Sequence, residues 1–184
     1  MIIDSIDLKD FRNYRELSLE PVEGINILYG DNAQGKTNLL EAVYVGCTSK
    51  SHRAVKDREL INFDSDESHI KINLRKNDVP YRIDMHIKKN RSKGIALNGM
   101  ALRRASELFG IAKVVFFSPE DLSIIKNGPG ERRRFTDVEL CQLDRLYTHD
   151  LISYNRVINQ KNILLKSITD EAELRQMLDI YNSQ

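Results

Sequence analysis

The chain has 184 residues, 41% apolar and 30% charged, enough to bury one core and begin a second. Its apolar runs, such as Val114 to Phe117, fall far short of the roughly 20 residues a membrane span needs, and the opening Met1, Ile2, Ile3, Asp4 carries no basic leader, so neither a membrane protein nor an exported one is expected. Lys and Arg total 28 against 27 Asp and Glu, a formal charge of +1; the molecule as a whole lacks the electrostatic footprint of a nucleic-acid binder, and any such contact has to be a local patch.

In chain order, Ile2 to Phe11, Glu16 to Pro21 and Ile25 to Tyr29 read as three strands, with Gly24 punctuating the turn before the last. A helix is expected from Lys36 to about Val45, where Leu39, Leu40, Val43 and Tyr44 recur at helical spacing. Between Ser68 and Lys88 the period drops to two: Ile70, Ile72 and Leu74, then Tyr81, Ile83, Met85 and Ile87. That pattern predicts an antiparallel pair turning at Asn77 and Asp78. Ser92 to Asn98 adds a third strand, Ala101 to Phe109 a short helix stopped by Gly110, and Ala112 to Phe117 a β-branched and aromatic strand.

The character then switches. All nine glycines lie at or before Gly130, and neither Gly nor Pro occurs from Glu131 to Gln184. Phe135, Val138, Leu146, Leu151, Tyr154, Ile158 and Leu165 recur at helical spacing, predicting one or two long helices plus a segment from Thr169 to Asn182. The boundary is placed near Ser118: residues 1–118 as an α/β lobe, 119–184 as the start of a helical lobe. Cys47 and Cys141 stand far apart without a CxxC or His-rich neighbourhood, which reads as buried thiols in a reducing cytoplasm. The basic clusters are Lys50, His52, Arg53, Lys56 and Arg58; Lys88, Lys89, Arg91 and Lys93; Arg103 and Arg104; and Arg132, Arg133 and Arg134. Each is either a solvated face or a nucleic-acid contact.

Gly30, Asp31, Asn32, Ala33, Gln34, Gly35, Lys36 and Thr37 satisfy G-x-x-x-x-G-K-[ST] at every fixed position. The glycines let successive backbone N–H groups converge on phosphates at the positive end of the following helix. Lys36 supplies a point charge for the β- and γ-phosphates, and the Thr37 hydroxyl suits Mg²⁺, which the hard oxygens of a triphosphate also favour. The apolar run Ile25 to Tyr29 before the loop and the helix after it are the context such a loop requires, so ATP and Mg²⁺ are the expected ligands.

Several segments around this loop resemble one family. They are Phe11, Arg12, Asn13 and Tyr14; the extended loop from Gly30 to Ala42; Ser51, His52 and Arg53 with Asp57, Glu59, Leu60 and Ile61; and Phe117 to Leu122. They continue with Gly128, Pro129, Arg132 and Arg133, then Tyr154, Asn155, Gln160, Asn162, Leu164 and Leu165. Together they are similar to the N-terminal portion of the RecF family of bacterial DNA-repair proteins, over nearly the whole chain. The resemblance implies an ABC/SMC-type ATPase head: an α/β P-loop lobe with a mixed sheet and an antiparallel β-layer, followed by an α-helical lobe. It implies nucleotide contacts from Gly30 through Asn38 and from Arg12 and Asn13, which as bare sequence are equally a strand-end loop. Arg53 is similar in placement to an arginine that contacts phosphate in such heads, or is a solvated surface arginine. Glu120 and Asp121 fall where related heads carry a glutamine-containing sensor loop; Ser118 and Pro119 just before them also read as a helix cap. As partners and activity the resemblance implies an ATP-dependent homodimer, double-stranded and gapped duplex DNA, RecO and RecR, and slow DNA-stimulated ATP hydrolysis.

A hydrolytic P-loop site also needs an apolar strand ending in an acid that holds Mg²⁺ and a further acid to position water. Val114 to Phe117 followed by Glu120 and Asp121 is the nearest match, but the acid arrives two residues late. With no glycine after Gly130, a Ser-Gly-Gly signature loop cannot lie in the remaining stretch. The sequence therefore reads as truncated, with half a nucleotide site, negligible hydrolysis on its own and exposed apolar surface. A small P-loop kinase or GTPase is the runner-up, and an ATP-gated interaction module is a third reading. The antiparallel pair directly after the first helix favours the ABC-type head over the kinase.

Overall fold

Period-two patterning builds a single sheet. The computed structural model describes residues 1–118, 128–167 and 178, which fall in two compact units, Met1–Ser123 and Ile124–Gln184. In the first unit β1 (Ile2–Phe11), β2 (Tyr14–Leu19), β3 (Glu67–Lys76), β4 (Val79–Lys88), β5 (Arg91–Leu97) and β6 (Met100–Ala101) line up as β2-β1-β3-β4-β5-β6. Every pairing is antiparallel. Two of the hairpins turn on two residues of positive φ: Asn77 and Asp78 at φ 51° and 62°, and Asn98 and Gly99 at φ 51° and 81°. Positive φ at both central positions matches the twist of the flanking strands, which is why Asn, Asp and Gly stand there.

Ile6 and Leu8 of β1, Ile70, Ile72 and Leu74 of β3, and Ile83, Met85 and Ile87 of β4 are buried on one face, since alternate side chains point the same way. Helix α1 (Lys36–Thr48) covers that face with Leu39, Ala42 and Val45. Gly46 is the point of closest approach, where a Cβ would run into Ile72 Cδ1. Full burial of each such aliphatic side chain contributes about 1.5–3 kcal/mol, so α1 is fixed by this face. Short 3-10 turns at Asp57–Leu60 and Ala105–Leu108 close the rim with buried Leu60 and Leu108.

In the second unit α2 (Pro129–Leu143) opens with Pro at its first turn, and α3 (Arg145–Ser167) follows after one residue. Asp144 Oδ1 accepts the Leu146 backbone N–H at 2.8 Å, an N-cap for α3. Tyr147 Oη donates to Asp137 Oδ1 at 2.6 Å, tying the two helices together. Thr169 to Asn182, expected to continue this unit, lies outside the described residues except at 178. Among the described residues no helix is long and apolar enough to cross a membrane.

Three expectations are corrected. Ile25 to Tyr29 forms no strand, and Ile25, Ile27 and Tyr29 are exposed. Ala112 to Phe117 is not a strand either: Ala112 makes one isolated bridge with Phe109, and Val115 and Phe117 are exposed. A strand exists only where a neighbour takes its N–H and C=O groups, and among the described residues neither segment has a ladder. The mixed part of the sheet is therefore not formed in them, while the antiparallel layer is. The helix expected from Ala101 to Phe109 is reduced to the single turn Ala105–Leu108, because Met100–Ala101 is taken up by the Asn98–Gly99 hairpin.

Candidate functional site

The loop from Gly30 to Thr37 runs into the N-terminus of α1. Gly35 caps the helix in the left-handed region, φ 102° and ψ 3°. A Cβ there would stand 2.7 Å from Asn13 Nδ2 and 3.0 Å from Tyr14 Cζ, so glycine is required by conformation and by space. Gly30 and Ala33 also have positive φ, 138° and 65°. The Lys36 ammonium folds back over the loop and donates to the carbonyls of Gly30 at 2.6 Å and Asp31 at 2.5 Å. Thr37 is exposed at the second helical position. The loop thus offers helix N–H groups, a lysine and an exposed hydroxyl, which fits the phosphates of a nucleoside triphosphate and one oxygen ligand for its Mg²⁺.

Arg12 and Asn13 occupy the β1–β2 turn, with Arg12 at φ 53°. Asn13 Nδ2 donates to the Gln34 carbonyl at 3.2 Å, and Asn13 Oδ1 accepts from Asn38 Nδ2 at 2.8 Å, so the turn is latched onto the loop. Behind it lies Glu41, whose side chain is 0% exposed. Its carboxylate accepts from Arg12 Nε at 3.0 Å, Arg12 Nη2 at 2.8 Å, Arg53 Nη2 at 2.6 Å and Ser51 Oγ at 2.5 Å. Arg53 Nη2 also reaches Asn38 Oδ1 at 2.8 Å, and Arg12 Nη1 reaches the Glu59 carbonyl at 2.7 Å. Burial alone would push the Glu41 carboxyl up. The hydrogen bonds from Arg12, Ser51 and Arg53 and the charge of Arg12 outweigh it and hold the pKa down at about 2.

The structure therefore brings Arg12, Arg53 and Ser51 onto one buried acid, and links Asn13, Gln34, Gly35 and Asn38 to one another beside it. Arg12, Asn13, Asn38 and Arg53 line one open depression together with Glu59 and Asn62, both hydrogen-bonded to Arg12. Glu120 and Asp121 lie outside the described residues. Glu41 was given no role from sequence, although a signal existed: it sits four residues before Val45 and next to Ala42 on the buried face of α1, where an unpaired carboxylate would be costly. Of the basic clusters, Lys93 is held by Asp57 at 3.0 Å and by the Ser49 carbonyl, and Lys88 and Lys89 pair with Glu67 and Asp66. Arg132, Arg133 and Arg134 are exposed on α2. His52 packs against the rings of Tyr44 and Phe116. Cys47 and Cys141 are buried and free, as their spacing predicts.

Against known proteins, residues 5–183 match the family model described as an AAA domain. The chain is 59% identical over 186 residues to the DNA replication and repair protein RecF of Lachnospira eligens, covering all of this chain and 51% of that protein. A solved structure of the recombination mediator protein RecF-ATP in the RecFOR pathway superposes with a TM-score of 0.92 at 37% identity, over 98% of this chain and 48% of that one. A solved SMC ATPase structure, 19% identical with a TM-score of 0.60 over 75% of this chain and 99% of that one, shares the fold. The chain spans about half the length of the curated relatives it matches.

Proposed function

The chain belongs to the AAA domain family, with a likeness to RecF along its whole length, and from that premise we propose that it is the ATP-binding lobe of a RecF-type DNA-repair protein. The observation that carries this is the Gly35-capped start of α1 with Lys36 folded over its loop. Gly30 to Asn38 bind the triphosphate through backbone N–H groups and the Lys36 ammonium, and Thr37 offers an oxygen to Mg²⁺. When bound, that ion neutralises phosphate charge. Asn13 holds the loop in shape through Gln34 and Asn38, while Glu41 anchors the Arg12 and Arg53 guanidiniums beside it.

In the whole protein ATP closes two such heads into a dimer on double-stranded or gapped DNA, in the cytoplasm, where it acts with RecO and RecR. Arg12 and Arg53 contribute charge at that nucleotide, and the exposed Arg132, Arg133 and Arg134 of α2 offer positive charge to DNA. Slow DNA-stimulated hydrolysis belongs to the whole protein, and this chain alone turns over negligible ATP. The boundary between its two lobes is proposed at Ser118. A small kinase or GTPase is not favoured, because the six described strands are all antiparallel and the matched relatives are RecF proteins.

Equilibrium titration of ATP into the chain and its Lys36→Ala variant tests the reading. Losing a charged donor to phosphate costs about 1.5–3 kcal/mol, roughly tenfold or more in affinity. Undiminished ATP binding by Lys36→Ala would overturn it.

A further inference from the structure

The face of the sheet turned away from α1 carries chemistry that the nucleotide site does not use. β3 places Glu67 and His69 on that face two residues apart, and β4 places His86 directly opposite His69 in register. The imidazoles stack with centroids 4.0 Å apart and planes 21° from parallel. Both present Nε2 to one carboxylate: His86 Nε2 lies 3.0 Å from Glu67 Oε2, and His69 Nε2 lies 3.7 Å from Glu67 Oε1. One donor atom from each of the three residues falls within 4.8 Å of the others.

We propose that Glu67, His69 and His86 form a three-ligand site for a borderline divalent cation of the Zn²⁺ class, linking β3 to β4 across the exposed side of the sheet. Donors bound at about 2.0–2.2 Å around a tetrahedral ion stand roughly 3.3–3.6 Å apart; His86 Nε2 and His69 Nε2 lie 3.0 and 3.7 Å from the two separate oxygens of Glu67, and the three donor atoms stand within 4.8 Å of one another. To bind one ion, the stacked imidazoles have to turn until their Nε2 lone pairs converge. Two imidazoles and one carboxylate select Zn²⁺, Co²⁺, Ni²⁺ or Cu²⁺ over the Mg²⁺ that the hard oxygens of a triphosphate hold. The remaining coordination position is open. On β5 the residue opposite His86 is Gly94, where a Cβ would meet nothing within 4 Å. Lys9, Glu16, His69, His86 and Gly94 line a depression in front of it. Lys88 Nζ, 3.3 Å from Glu67 Oε2, is the group that a cation displaces.

Calorimetric titration of Zn²⁺ into the metal-free chain, with Co²⁺ absorption spectra in parallel, tests the site. One equivalent is expected to bind, with about a tenfold or greater loss in His69→Ala and in His86→Ala. Excess Mg²⁺ leaves the binding in place, and Lys88→Met, which removes the competitor, tightens it. All three ligands lie on the solvent side of the sheet, so the variants keep the metal-free melting temperature, and Zn²⁺ raises it only where His86 is present. Absence of Zn²⁺ uptake by the unaltered chain, or wild-type affinity in His86→Ala, would refute the site.

Discussion

Replacing Glu41 by glutamine isolates the charge at the centre of the Arg12–Arg53 cluster while keeping its shape. The carboxylate accepts four hydrogen bonds, two on each oxygen. Glutamine keeps one accepting oxygen and turns an NH₂ group toward donors, so two bonds are lost. Charge-assisted bonds contribute about 1.5–3 kcal/mol each, but the Arg12 and Arg53 side chains are 23% and 31% exposed and partly screened, which brings the expected cost to about 2–4 kcal/mol. The lowered carboxyl pKa, which comes from the same contacts, leads to a similar figure. A carboxyl lowered from 4.5 to about 2 contributes about 3 kcal/mol at neutral pH.

The sign follows from proton counting. Between those two values the unfolded chain binds the proton that the folded one refuses, so the contribution is complete above pH 4.5 and lost as pH falls toward 2. About 1 kcal/mol of it is gone by pH 4 and more than half by pH 3. Urea denaturation of the chain and of Glu41→Gln at pH 7, 4 and 3 measures this: the gap between the two should shrink with acidification. A gap that stays constant from pH 7 to pH 3 refutes the charge argument and leaves only packing.

Gly35→Ala should destabilise the chain by about 1–3 kcal/mol and weaken ATP binding, because the new methyl meets Asn13 at a φ of 102°; chemical denaturation beside an ATP titration reads both, and a neutral substitution would remove glycine's role there. Cys47 is 1% exposed and burial pushes its thiol up to about 12. At pH 8 it stays protonated, so a disulfide reagent should leave it unlabelled in the folded chain and label it fully in urea. Rapid native labelling mapped to Cys47 by mass spectrometry would contradict the packing of α1 on β3.

What was legible in the letters was local. β1, the β3–β4 hairpin with its Asn77–Asp78 turn and the start of α1 at Lys36 follow from period and from turn chemistry, and the structure has them there. The left-handed cap at Gly35 is likewise written in the loop pattern. Glu41 was not legible as a centre, because its partners come from positions 29, 12 and 10 residues away. Only folding of the β1–β2 turn and the segment after α1 puts Arg12, Arg53 and Ser51 on one carboxylate. The same holds for Glu67, His69 and His86: the spacing within β3 is visible, the partner on β4 depends on register.

Ile25 to Tyr29 shows the limit of that reasoning from the other side. Its apolar letters correctly describe an oily segment, but whether such a segment is a strand depends on a neighbour that local sequence does not name. Among the described residues the phosphate loop takes its shape with no paired strand before it. Lys36 is placed by α1, which Gly46 seats against Ile72, and the loop in front of it is latched by Asn13 through Gln34 and Asn38. Both anchors run to the antiparallel layer, β3 in one case and the β1–β2 turn in the other. The geometry that would receive phosphate is therefore built from the antiparallel layer outward, so the loop keeps its form while the apolar segment preceding it stands exposed.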